Sequence, residues 1–177
     1  MGLILCIGDV MLDVVVRINT EVNYGSDTPA KISTHGGGAA ANVASWLAFS
    51  NHEVQLVSRV GDDPAGTAVM AELDKLGVQH GNIVIQGAQT GVVAVLVDKT
   101  GERTMFPESG ANSGLNLSDL PALENVSAVY LSGYSLLNPA STTGVVAMVN
   151  AITSERIPII FDPIFNTATP IFAKIVL

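Results

Sequence analysis

Two stretches within the first fifty residues concentrate side chains able to hold a hydroxylated ligand. "IGDVMLD" sets Gly8, Asp9 and Asp13 directly after an apolar run. "STHGGGAAANVASWLA", from Ser33 to Ala48, passes through three glycines and three alanines to Asn42. A carboxylate accepts two hydroxyl hydrogen bonds at once, and a carboxamide both donates and accepts. Glycine lets a ligand approach the backbone closely. That chemistry suits a polyol better than a triphosphate. No Lys-Ser or Lys-Thr follows the glycines, so they do not form a Walker A loop, and their spacing is not G-x-G-x-x-G. Close packing of a loop against a strand also explains such a run, and composition alone slightly favours it.

The other candidates are weaker. Asp62 and Asp63 in "RVGDDPAG" are expected to cap the helix that follows. Asp162 ends a later strand and is expected to face the same crevice as Asp9 and Asp13, because ligands of open parallel sheets collect beyond the carboxyl ends of the strands. His35 abuts the glycines, whereas His52 and His80 read as solvent residues in turns. No Cys/His cluster has metal-ligand spacing, so no metal site is expected. Cys6 reads as a buried, inert thiol.

The elements that must position these residues alternate. Leu3–Ile7 is a continuous apolar run of the kind found in buried parallel strands. Val54–Val60, Val126–Leu131 and Ile157–Phe161 read as further strands. Asn42–Ser50 reads as a helix with Val43, Trp46, Leu47 and Ser50 on one stripe. A second helix starts at Asp63-Pro64 and stops at Gly77, with Val69, Leu73 and Leu76 on its buried stripe. A third runs from Asn138-Pro139 to about Thr153. Strands alternating with helices predict an α/β fold: a doubly wound, mostly parallel sheet with helices on both faces. Hairpin-like pieces over about 14–34 and 90–106 break the rhythm. They fit equally an antiparallel appendage or the edge of one mixed sheet.

Composition bounds the rest. In 177 residues the chain holds 48% hydrophobic and 14% charged residues, enough to build a core. Eight Lys and Arg against 16 Asp and Glu give a net charge of −8 with no basic cluster, which argues against nucleic acid as a partner. No apolar stretch is long enough to span a bilayer. With no positive leader at the start, a cytoplasmic protein is expected.

In order and separation, "GDVMLD", "GGGAAANVASWLA", "VSRVGDDPAG", "TGVVAVLVDKTGERTM", "SGAN" and "YLSGY" resemble the N-terminal part of a ribokinase-like (PfkB-family) carbohydrate kinase. The resemblance spans almost the whole chain. It implies a doubly wound α/β domain with a small β-sheet lid, which accounts for the two awkward segments. It also implies transfer of the γ-phosphoryl of ATP, with Mg²⁺, to a hydroxymethyl group of a sugar or nucleoside. Under it Asp13, Gly37, Gly38 and Asn42 bind substrate hydroxyls, Asn112 lies close to the same pocket, and Asp162 has a phosphate-side role.

The sequence departs from that pattern in places. The family's C-terminal D-T-x-G-A-G-D stretch, which supplies the anion hole and the general base, does not occur. No catalytic residue is therefore assigned in this chain, and it reads as cut short, ending on the apolar "TPIFAKIVL". Ribose-specific members carry polar residues where Met11 and Ala39 stand, and some sugar kinases place a Glu where Tyr134 stands. A less polar acceptor, a nucleoside or deoxy sugar, suits these changes, and Phe106 would either stack on its base or pack within the lid. Ile164 replaces an Asn common after Asp162-Pro163. The competing expectation is a non-catalytic truncated homologue, a small-polyol-binding or oligomerisation module that self-associates through the lid or an exposed sheet edge. A Rossmann-type dinucleotide binder is disfavoured by the glycine spacing.

Overall fold

A computed structural model describes residues 2–81 and 83–163. The apolar ending and Ile164 lie outside the described residues. The chain opens with β1 (Leu3–Ile7), β2 (Met11–Arg17) and β3 (Lys31–Gly37) and then enters α1 (Ala39–Phe49). β4 (Val54–Val57), the short β5 (Val60–Gly61) and α2 (Pro64–Leu76) follow, and then β6 (Gln79–His80) and β7 (Val84–Ile85). β8 (Gly91–Val97) and β9 (Arg103–Glu108) lead through two 3-10 turns, Gly110–Gly114 and Leu117–Asp119, to β10 (Val126–Ser132). A third 3-10 turn, Gly133–Leu136, precedes α3 (Pro139–Ser154) and β11 (Ile159–Asp162).

The central sheet is parallel throughout, in the order β11-β10-β1-β4-β6. β1 shows why its sequence is apolar at every position: its side chains alternate between two cores. Cys6 joins Ala40, Ala44, Leu56, Val69, Leu73 and Tyr130 under α1 and α2. Leu5 and Ile7 join Val57, Val129, Leu131, Val145, Met148 and Ile152 under α3. Each fully buried aliphatic side chain contributes roughly 1.5–3 kcal/mol.

The pieces around 14–34 and 90–106 form a separate four-stranded sheet, β3-β2-β8-β9, in which only the central β2–β8 pair is parallel. The structure thus decides for the appendage over the edge of one mixed sheet. Val54–Val60 divides into two strands belonging to different sheets. β6, Gln79–His80, was not foreseen, and it lifts His80 out of the solvent turn expected for it. His80 Nε2 lies 3.0 Å from Asp74 Oδ1, and its Nδ1 is buried without a partner among the described residues.

α2 keeps its predicted bounds. Asp63 caps it by accepting from the Gly66 N–H, Pro64 opens it, and Gly77 closes it in the left-handed region at φ 76°. Val69 and Leu73 are buried as expected, but Leu76 is 42% exposed. Asp62 does not share the capping; it accepts from the Gly87 N–H instead.

α1 begins three residues before the predicted start, and its buried face is centred on alanines, with Val43 and Leu47 of the expected stripe at its border and Trp46 outside it. Ala40, Ala41 and Ala44 point into the core, while Trp46 is 70% exposed. Alanines are strong helix formers, and their small size lets the helix lie close on the sheet. Of the larger apolar residues, Val43 and Leu47 pack half-buried at the border of that core, and only Trp46 and Phe49 end up on the outer side.

Candidate functional site

The site is built around the turn from β3 into α1. Gly38 sits at φ 98° as the N-cap, and a Cβ there would stand 2.5 Å from the Asp9 carbonyl oxygen. Only glycine fits both restrictions. Gly38 has no side chain to cap the helix, and Asp9 substitutes for one: its Oδ2 accepts from the Ala39 N–H at 2.9 Å. Its Oδ1 accepts from the Ser132 hydroxyl at 3.1 Å. Asp9 lies near the carboxyl end of β1, as expected, but with both oxygens engaged it acts as a brace rather than a diol grip.

Asp13 lies in β2 of the smaller sheet rather than at the end of β1. Its carboxylate covers the Cα of Gly37, occupying the space a Cβ there would need. Two predicted residues, 24 positions apart, are thereby brought into contact across one corner. Burial pushes the Asp13 carboxyl above its ordinary range; the neighbouring His35 lowers it and Asp9 raises it. His35 is the cross-strand partner of Asp13 on β3 and shares its face of the sheet. Its ring nitrogen Nε2 lies 2.9 Å from Ser33 Oγ.

Gly37 also borders an open groove of about 120 Å³ between α1 and α2. Asn42, Ser45 and Glu72 are its polar side chains, and Val10, Val69, Leu73 and Leu76 supply the apolar ones. Asn42 is exposed, in the second turn of α1.

Asn112 approaches the site from the far end of the lid. Its Oδ1 accepts from the Val10 N–H at 3.3 Å, and its Nδ2 donates to the Val10 carbonyl at 2.8 Å. Nδ2 also lies 3.4 Å from Met11 Sδ and 3.2 Å from the Ser109 carbonyl. Most of its hydrogen-bonding capacity thus goes to Val10, the residue that leads into the strand carrying Asp13.

Asp162 stands at the carboxyl end of β11, beside Ser132 in register. It accepts a 2.6 Å hydrogen bond from the Tyr130 hydroxyl. Burial, with the Asp162 bond second, pushes the Tyr130 phenol well above its ordinary value. Through Ser132 and Asp9 this rim of the sheet reaches the glycine turn. Tyr134 is 54% exposed in the 3-10 turn after β10.

Register settles the position of Phe106. It pairs with Ala94, which pairs with Val14, so these three share the face opposite Asp13. Phe106 is 60% exposed. It neither packs within the lid nor faces the carboxylate, so both expectations for it are corrected.

A profile of the pfkB family of carbohydrate kinases matches residues 1–173. The chain belongs to that family. Among its relatives, the ATP-dependent ribose-1-phosphate kinase of Halopiger xanaduensis is 29% identical over 73% of this chain and 45% of that protein. The ribokinase of Schizosaccharomyces pombe is 32% identical over 68% of this chain and 41% of that protein. The chain therefore spans less than half the length of these curated relatives. The ribokinase structure from Giardia lamblia superposes with a TM-score of 0.82 at 22% identity, covering 92% of this chain and 55% of that one. A sugar kinase from Pyrococcus horikoshii gives 0.79 at 26%, covering 93% and 56%. The pfkB-family fold, with its parallel central sheet and small separate sheet, is thus shared.

Sequence reasoning missed Glu72, Tyr130 and Ser132. Their partners lie 36, 32 and 123 positions away, and no local pattern signals such pairs.

Proposed function

We propose that this chain carries the acceptor half-site of an ATP-dependent phosphotransferase acting on a hydroxymethyl group of a sugar or nucleoside. The observation that carries the reading is the Asp13 carboxylate held over Gly37, within a chain of the pfkB carbohydrate kinase family. In this reading Asp13 accepts hydrogen bonds from acceptor hydroxyls. Gly37 and Gly38 offer bare backbone, Asn42 presents a carboxamide, and Asn112 holds the entry to β2. The lid sheet closes over the acceptor and excludes water from the transfer. Met11, 6% exposed with its sulfur against Asn112, gives the entry an apolar side that favours a less polar acceptor.

ATP is the phosphoryl donor in this reading, and the ATP-dependent ribose-1-phosphate kinase of Halopiger xanaduensis among the relatives supports it. Asp162, steadied by Tyr130, is assigned to the phosphate side. Mg²⁺ would neutralise phosphate charge. Among the described residues no three His, Cys, Asp or Glu side chains converge to hold a metal ion. These residues do not by themselves fit a Mg²⁺ site, and the ion is assigned no step.

Titration calorimetry with D-ribose, D-fructose, adenosine and 2-deoxy-D-ribose tests the reading. One of the four should bind the wild-type chain, and Asp13→Ala should abolish that binding. Binding that survives Asp13→Ala would remove the assignment.

Two further readings go with this one. Exposed Ile32 and Phe106, at 66% and 60%, lie on the lid face away from Asp13 and support self-association there, which sedimentation would detect. A cytoplasmic site of action suits a kinase of small metabolites; no helix among the described residues is long and apolar enough to cross a membrane.

A further inference from the structure

α2 holds the lid at two separate roots. At its N-cap, Asp63 Oδ2 accepts from the Thr90 N–H at 2.8 Å and Oδ1 from the Thr90 hydroxyl at 2.6 Å. Thr90 is 2% exposed and immediately precedes β8; its hydroxyl oxygen also accepts from the Gly61 N–H at 3.0 Å. In the third turn of α2, Glu72 Oε2 accepts from the Gly36 N–H at 2.8 Å. That donor belongs to β3, an edge strand of the lid, whose outward N–H groups have no strand partner among the described residues. A Cβ on Gly36 would stand 3.0 Å from the same Glu72 oxygen, so a side chain there would press on the carboxylate.

The register shows what these anchors control. β2 lies between β3 and β8. Gly36 pairs with Leu12, and Gly91, next to Thr90, pairs with Met11. The two anchored roots therefore bracket β2 at the two residues before Asp13. Both roots thus touch the segment that presents the Asp13 carboxylate to Gly37.

We infer that Glu72, acting with Asp63, is a positioning residue: α2 clamps the lid on both sides of β2 and so sets where Asp13 stands. This rests on the acceptor-site reading above. An exposed carboxylate on the middle of a helix ordinarily serves solubility alone. Here it takes a backbone donor 36 positions away, at the point where the lid leaves the main body.

Hydrogen exchange read by mass spectrometry, with sugar titration in parallel, tests the inference on wild type, Glu72→Ala and Glu72→Gln. Losing one exposed hydrogen bond should open a root locally, raising exchange in peptides covering 11–17 and 31–37 about tenfold in Glu72→Ala. Peptides covering 126–132 and the melting temperature should stay at wild-type values. Glu72→Gln, whose amide oxygen still accepts, should restore most of the protection. Affinity for D-ribose or D-fructose should fall in the order wild type, Gln, Ala. Thr90→Val should loosen 91–97 and leave 31–37 protected.

Unchanged exchange at 31–37 in Glu72→Ala would overturn the inference, as would equal loosening of the central sheet, which would make Glu72 a residue of general stability. Loosening of 31–37 by Thr90→Val would overturn the separation of the two anchors. If wild type binds neither sugar, the acceptor reading fails for those probes, and the exchange data still decide whether Glu72 sets the position of β2.

Discussion

The Asn112 carboxamide grips both backbone polar groups of one residue, Val10, 102 positions away. Val10 is 1% exposed and leads directly into β2. A side chain that satisfies a buried N–H and C=O together cannot be shortened without leaving both unpaired. Asn112→Ala should therefore lower unfolding free energy by about 1–3 kcal/mol, measured by urea denaturation. Asn112→Asp keeps an acceptor for the Val10 N–H but loses the donor to its carbonyl, so an intermediate loss is expected. A variant as stable as wild type would show that the Val10 groups find other partners.

The sequence carried much of the scaffold because its signals are local. Asp63, Pro64 and Gly77 announce α2 through capping chemistry within one helix, and β1 reads as buried because both of its faces are apolar. The glycine turn was legible as a place of close approach. What approaches it was not: the Asp9 bond to Ala39 spans 30 positions, and the Glu72 bond to Gly36 spans 36. The centre of the face buried by α1 was not legible, because periodicity weighs large apolar residues: Val43 and Leu47 pack at its border, but Ala40, Ala41 and Ala44 fill its middle. Packing against a sheet here selected alanines, sending Trp46 outward. Phe106 was misplaced for a related reason. Which face a strand residue occupies depends on register, which the sequence of one strand does not contain.

Asp13 should make acceptor binding sensitive to acid. Burial holds its carboxyl above the ordinary value of 3.8, so protonation and loss of the hydroxyl acceptor begin at higher pH than for an exposed aspartate. The sign for stability is the reverse of the usual salt-bridged aspartate. A raised carboxyl contributes stability below the unfolded-state value and loses it as pH rises through the folded one. At neutral pH its charge is therefore a cost, and Asp13→Asn should melt no lower than wild type while binding no acceptor. Calorimetry at pH 4.5 and 7.5, with a thermal melt of the variant, checks both halves. A large fall in melting temperature would show that the carboxylate supports the fold.

Tyr130 should give the alkaline limb of stability a distinct component. Burial and the bond to Asp162 hold its phenol above the ordinary value of 10.0. That contribution is complete below pH 10 and is lost as pH rises through the folded-state value. Tyr130→Phe should be less stable than wild type at pH 8, and the gap should narrow above pH 10. Denaturant midpoints across pH 8–11 measure it. A gap independent of pH would mean that only packing was lost.

Cys6 offers a direct reading of whether the central sheet opens. It is 0% exposed on β1, paired in register with Leu56 on one side and Tyr130 on the other, and burial pushes its thiol up to about 12. Only the thiolate is reactive, and almost none is present at neutral pH. Native protein should therefore leave Ellman's reagent unreacted at pH 8, and labelling should appear only as urea unfolds the chain. In that regime the labelling rate reports how often β1 separates from both neighbours, because reaction needs solvent at a position covered by α1 and α2. Cys6→Ala should remove the signal at a modest cost in stability. Complete labelling within minutes in the absence of urea would show that β1 parts from β4 or β10 under native conditions, and that the rim joining Asp9 to Ser132 is no rigid base for the glycine turn.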